Sequence, residues 1–233
     1  MTTQKLNLSK LKGKIIAIDG PAGSGKTSTS RMLAARLGYI YLDTGAMYRA
    51  LTYFALKNSI APSDEDKLSA LAVKLPIDFQ TEGDVNHVFI NGEEVTEQIR
   101  TPEVTKHVSE VSAHKGVRKA MVAKQKKMGK NGSIVAEGRD TTTVVFPDAD
   151  VKIYLTASVA QRAQRRLLDL ANMGIETTLE EQKADIERRD KYDSGRKHSP
   201  LTKAKDAFEV NTSEMSLDGQ VDHIISLIKS VLN

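Results

Sequence analysis

Apolar residues gather in five short runs, Lys14–Asp19, Tyr39–Leu42, Ser133–Glu137, Val151–Leu155 and Ala207–Asn211, most of them rich in Ile, Val, Leu or Tyr. Runs of that length bounded by polar segments read as strands. The stretches between them read as helices, and such alternation predicts an α/β fold built on a parallel sheet. One stretch breaks the pattern. From Ile77 to Val95 the chain reads IDFQTEGDVNHVFINGEEV, short alternating runs punctuated by the turn signals Gly83-Asp84 and Asn91-Gly92, which predicts a small antiparallel insert. Helix ends are also marked. Gly38 follows Arg36 and Leu37 as a stop. Ser158 and Gln161 make a capping-box pattern before QRAQRRLLDLANMG, Gly174 closes that helix, and Thr178 with Glu181 opens the next after a short connection expected to be mobile.

Composition narrows this picture only at its edges. At 233 residues the chain can bury a full core, and one domain with insertions is expected. The 34 Lys and Arg against 30 Asp and Glu leave +4, compatible with anionic ligands of any size. The basic run Lys124, Lys126, Lys127 and Lys130 has no interleaved aromatics, so it predicts a solvated helix face, not a nucleic-acid site. Without cysteine there is no disulfide, thiolate metal site or catalytic thiol, which favours an intracellular setting. The N-terminal MTTQKLNLSKLKGKIIAIDG carries no apolar run long enough for a signal core or membrane span, so a cytoplasmic protein with no membrane partner is expected. The histidines are scattered, and His107 with His114 could at most share a helix face. No internal repeat is visible.

Chemistry enters with IIAIDGPAGSGKTSTSRMLAARLG. Gly20, Gly25, Lys26 and Thr27 satisfy G-x-x-x-x-G-K-[ST] between a strand and a helix, the context that a phosphate-binding loop requires. The backbone of Gly20, Pro21, Ala22, Gly23, Ser24 and Gly25, continuing through Lys26, Thr27 and Ser28, is expected to cradle a triphosphate, helped by the positive end of the helix that follows. Lys26 would neutralise the β- and γ-phosphates, and the Thr27 hydroxyl would ligate Mg²⁺. No asparagine is followed by lysine, which removes the guanine-reading signature of a GTPase, and no protein-kinase catalytic segment occurs. A P-loop transferase or a nucleotide-driven ATPase remains.

The motifs IAIDGPAGSGKTS, LDTGAMYRA, IRTPEV, AEGRD followed by VVFPDA, and ERRDKYDSGRKHSPL occur in that order. Together they resemble the bacterial-type cytidylate kinases over nearly the whole chain. The resemblance implies a P-loop kinase with a five-stranded parallel sheet of order 2-3-1-4-5, transferring phosphoryl from ATP to CMP or dCMP with Mg²⁺, as a monomer. It further implies a core of about 1–43, 114–160 and 190–233, an acceptor-binding region of about 44–113 that holds the insert, and a lid of about 161–189.

By the same resemblance Arg49, Arg139 and Arg196 surround the acceptor phosphate, a place where planar, permanently charged donors suit the chemistry. Ser109, Arg118 and Asp140 are matched to the cytosine pocket, with Thr44 where the family commonly has serine; Arg189 and Asp193 are matched to the sugar hydroxyls. Lys26, Arg139, Arg196 and the lid residue Arg165, which lies beside Arg162 and Arg166, are the catalytic candidates. The i, i+4, i+7 spacing of Arg189, Asp193 and Arg196 would put them on one helix face, although Gly195 interrupts it, and an Arg189–Asp193 ion pair is the plainer alternative. Glu137 is the preferred carboxylate behind the Mg²⁺ hydration shell, with Asp19 its rival; either could instead cap the adjacent turn. The chain departs from the family at Thr141-Thr142-Thr143, where the middle position is usually glycine, and a β-branched residue there is expected to reshape the turn beside Asp140. A kinase for UMP or AMP, and a nucleotide-gated module for RNA or protein, are the rival readings.

Overall fold

The computed structural model describes residues 11–82 and 85–232. The N-terminal MTTQKLNLSK and the Gly83-Asp84 turn signal lie outside the described residues. Along the chain run β1 (Ile15–Asp19), α1 (Lys26–Leu37), β2 (Ile40–Asp43), α2 (Thr44–Lys57), α3 (Glu65–Lys74), β3 (Ile77–Glu82), β4 (Val85–Ile90) and β5 (Glu93–Glu94). After a 3-10 turn at Gln98–Arg100 come α4 (Pro102–Val111), α5 (Lys115–Met128), β6 (Ile134–Gly138) and a π-helical turn at Thr141–Val145. β7 (Val151–Thr156), α6 (Val159–Asn172), α7 (Leu179–Gly195), β8 (Phe208–Asn211) and α8 (Leu217–Leu232) complete the molecule.

The main sheet has five strands in the order β2-β6-β1-β7-β8, which is 2-3-1-4-5 when only its own strands are counted. Its pairings are all parallel, and β1 lies centrally with Asp19 opposite Gly138 and Tyr154. Strands covered on both faces need continuous apolar sequence, and Ile134, Val135 and Ala136 are accordingly buried throughout. One face packs on α1 and α8 through Leu33, Val221, Ile224 and Ile228. The other carries α2 to α5 and the insert through Met47, Leu51, Leu68, Met121, Val88 and Ile90. The insert is a separate three-stranded antiparallel sheet, β3-β4-β5.

Local chemistry sets the element ends. Gly38, at φ 65°, closes α1 by donating to the Ala34 and Ala35 carbonyls. Asp43 caps α2 by accepting from the Ala46 N–H at 2.8 Å. Ser158 caps α6 from the Gln161 N–H, and Thr178 with Glu181 forms a reciprocal capping box on α7. Lys124 donates to the Leu75 carbonyl, tying α5 to the end of α3, while Lys126, Lys127 and Lys130 of the same basic run are exposed. No described helix is long and apolar enough to cross a membrane.

Candidate active site

The loop after β1 turns where only glycine fits. A Cβ on Gly20 would stand 2.2 Å from the Leu155 carbonyl oxygen, and Gly25 takes φ 90° as it enters α1. Two residues brace this loop from outside it. Arg162 on α6 donates to the Ala22 carbonyl at 2.9 Å and pairs with Asp190 on α7 at 2.6 Å. Thr212, just past β8, donates to the Ser24 carbonyl at 3.0 Å.

Within the loop, Lys26 donates to the Pro21 carbonyl at 2.7 Å and lies 3.3 Å from the Ser24 hydroxyl. Burial, reinforced by the Arg139 guanidinium, draws its ammonium down to about 7. The Thr27 hydroxyl donates to Glu137 Oε1 at 2.7 Å, and the Tyr41 hydroxyl meets the same oxygen at 2.7 Å. Burial, with Asp43 nearby, pushes the Glu137 carboxyl upward. Ser28 is exposed in the first turn of α1.

Across from the loop the arginines converge. Arg139 Nε donates to Asp193 at 2.9 Å, and Arg196 Nε donates to the Asp193 carbonyl at 3.2 Å. Burial alone would raise Asp193, but Arg139, Arg196 and Arg189 together hold its carboxyl below the usual range. Arg189 is drawn down to about 10, by burial first and Arg139 next. Arg49 pairs with Asp43 at 2.6 Å. Buried nitrogens on Arg49, Arg118, Arg189 and Arg196 lack hydrogen-bond partners. So many donors without acceptors suit a polyanion.

Beside them, Arg118 pairs with Asp140, donates to the Ser112 carbonyl at 3.0 Å, and lies over the Tyr48 ring at 5.3 Å. Ser109 is buried at the end of α4, and its carbonyl accepts from the Ser112 hydroxyl at 3.0 Å. The Thr44 hydroxyl donates to the Glu137 carbonyl at 2.6 Å. Gly138 is packed so tightly here that an added Cβ would lie 2.4 Å from both the Thr141 and Thr44 hydroxyls.

Comparison with known proteins decides the family. The cytidylate kinase family model matches residues 16–230. The chain belongs to the cytidylate kinase family. It is 51% identical over 218 residues to the cytidylate kinase of Enterococcus faecalis, covering 93% of this chain and 96% of that one. The cytidylate kinase of Bacillus cytotoxicus is 46% identical over 217 residues, with the same coverage of 93% and 96%. Among solved structures, an uncharacterized protein from Eubacterium ventriosum aligns over 94% of this chain and 99% of its own with a TM-score of 0.50 at 13% identity, a likeness of fold alone.

Most candidate residues of this cytidylate kinase come from separated segments, and the fold joins them in pairs, Thr27 with Glu137, Arg49 with Asp43, Arg118 with Asp140 and Arg139 with Asp193. The structure bears on three details of the sequence reading. α7 ends at Gly195, so Arg189 and Asp193 share the helix while Arg196 leaves it, and Asp193 pairs with Arg139 of a different element instead of forming an i,i+4 pair with Arg189. Asp19 takes the turn-capping role: its carboxylate accepts from the Thr141 and Thr142 N–H groups at 2.9 and 2.7 Å, which leaves Glu137 as the carboxylate meeting Thr27. Thr142 has no positive φ, so the β-branched residue sits in the π-helical turn without backbone strain.

Arg165 donates both to the Thr212 hydroxyl at 3.1 Å and to its carbonyl at 2.6 Å, and its Nη1 would lie 3.5 Å from a Cβ on Gly25, so it stands over the donor loop. Sequence reasoning gave no loop-bracing role to Arg162 or Thr212. Their partners are backbone carbonyls 140 and 188 residues away, a relation that no local pattern carries.

Proposed function

We propose that this cytidylate kinase transfers the γ-phosphoryl group of ATP to CMP and dCMP, giving CDP or dCDP and ADP. The observation that carries the reading is the set of buried guanidinium nitrogens without hydrogen-bond partners on Arg49, Arg118, Arg189 and Arg196, opposite a phosphate loop. A switch that only hydrolyses nucleotide has no use for a second anion cradle. In this reading residues of about 1–43, 114–160 and 190–233 form the core, about 44–113 the acceptor region and about 161–189 the lid.

An acceptor phosphate oxygen attacks the γ-phosphorus in line while the bond to the β-phosphate oxygen breaks. The acceptor is already ionised near neutral pH, so no general base is needed. Lys26 holds the β- and γ-phosphates, and Arg139 and Arg196 neutralise the approaching acceptor, so positioning and fixed charge carry the catalysis. The Thr27 hydroxyl backed by Glu137 at 2.7 Å fits a Mg²⁺ ion with its water shell, which would offset charge on the phosphate oxygens. Asp140 and Arg118, with Ser109, form the base pocket, Arg189 and Asp193 meet the sugar, and Arg165 serves the donor side. The test is ADP release from ATP with and without CMP, dCMP, UMP or AMP. Strong stimulation by CMP and dCMP alone is expected. Turnover indifferent to CMP would overturn the reading, and faster turnover with UMP or AMP would reassign the acceptor.

A further inference from the structure

Asp19 ends β1 one position before the phosphate loop, is fully buried, and directs its carboxylate to the segment that follows β6. Oδ1 accepts from the Thr141 N–H at 2.9 Å, and Oδ2 accepts from both the Thr142 N–H at 2.7 Å and the Thr142 hydroxyl at 2.6 Å. Those threonines come directly after Arg139 and Asp140. One buried carboxylate therefore links the root of the donor loop to the elbow that carries the acceptor-side arginine and the base-pocket carboxylate. Three short bonds from a fixed strand restrict the elbow far more than one would.

The turn does not need the Thr142 hydroxyl in order to form. Its backbone is already closed by bonds from the Val144 N–H to the Asp140 carbonyl and from the Phe146 N–H to the Thr141 carbonyl, each 2.8 Å. What the hydroxyl adds is orientation. It fixes the side from which the elbow meets Asp19, while the close packing at Gly138 leaves the preceding strand end no slack.

We propose that Asp19 and Thr142 are positioning residues that set the register between donor and acceptor phosphates. The inference rests on the acceptor-site reading given above. In-line transfer is sensitive to such register, since a misplacement of about 1 Å can cost on the order of 10²-fold in rate.

The test is steady-state kinetics of Thr142→Val, which removes the donor at nearly constant shape, beside Thr142→Ala and Thr142→Ser, with Asp140→Asn as a reference and the melting temperature recorded for each. Thr142→Val and Thr142→Ala should lower kcat/KM for CMP by roughly 10-fold or more while KM for ATP stays within about twofold. Thr142→Ser should return CMP turnover to within about threefold of wild type, because it restores the hydroxyl. Wild-type CMP kinetics in folded Thr142→Val and Thr142→Ala, beside an altered Asp140→Asn, would overturn the clamp alone. So would a proportional loss for ATP and CMP that tracks melting temperature and is not restored by serine, since that marks a merely structural bond. An Asp140→Asn enzyme with unchanged activity and base preference would overturn the acceptor-site reading, and the clamp with it.

Discussion

Burial and the Arg139 guanidinium draw the Lys26 ammonium down to about 7, so in the free protein the lysine is charged below that pH and increasingly neutral above it. A bound triphosphate favours the charged form and raises the pKa, so binding at about pH 8 should draw up to one proton into each site, while binding at about pH 6 should draw almost none. Calorimetry in buffers of different ionisation enthalpy reads this directly; heats independent of buffer at the higher pH would remove the assignment. If Lys26 is the charge at the phosphates that the loop reading proposes, Lys26→Ala should abolish the proton uptake and lower turnover by roughly 10²-fold or more with the fold retained. Turnover within about threefold of wild type would contradict that. In the proposed acceptor site Asp140 would govern base choice by the same kind of argument. An ionised carboxylate only accepts, which suits the cytosine amino group and opposes the uracil carbonyl, so CMP over UMP discrimination of roughly 10- to 1000-fold is expected. Asp140→Asn should collapse that ratio. The Arg118–Asp140 pair gives the competing outcome: if the pair is the whole role of Asp140, the mutation depresses both substrates equally.

At the scale of elements, the α6–α7 hairpin carries Arg162, Arg165 and Arg189 to the cleft, so its stability bears on the site. The Thr178–Glu181 capping box satisfies two donors at the exposed start of α7. Thr178→Ala should cost about 1 kcal/mol and accelerate amide hydrogen exchange in the first turn of α7. Exchange unchanged there would show that tertiary contacts, not the cap, hold the helix end. This cap was readable in the letters Thr-x-x-Glu because the interaction spans three residues. The direction taken by Arg196 was not, because a helix that stops at Gly195 and one that continues share the same local sequence.

For the whole molecule, the same charges argue for a change of shape on binding. Arg166 on α6 is lowered by burial first, against Asp169 and Asp185, with Arg49 on α2 and Arg100 in the 3-10 turn adding to the effect. Asp169 offsets part of this repulsion, since Arg166 and Arg100 both act on its carboxyl, and in the proposed reading a bound polyanion would offset the rest and favour closure. A bisubstrate mimic joining cytidine and adenosine through phosphates should therefore reduce the radius of gyration in small-angle scattering. Identical curves with and without saturating mimic would indicate a preformed, rigid cleft.

The strands, the phosphate loop and the caps were set by sequence alone, because each depends on residues within a few positions of one another: apolar runs, Gly20 to Thr27, Thr178 before Glu181. The insert was legible for the same reason, from alternation between Ile77 and Val95. The sheet order and most site residues entered through resemblance to a family, since periodicity says nothing about which strand lies beside which. Tertiary structure alone decided that Asp19 caps the Thr141-Thr142 turn while Glu137 meets Thr27, that Asp193 joins Arg139, and that Arg162 braces the Ala22 carbonyl. A buried charge takes the nearest partner in space, and the fold places segments 54 to 140 residues apart within hydrogen-bond reach.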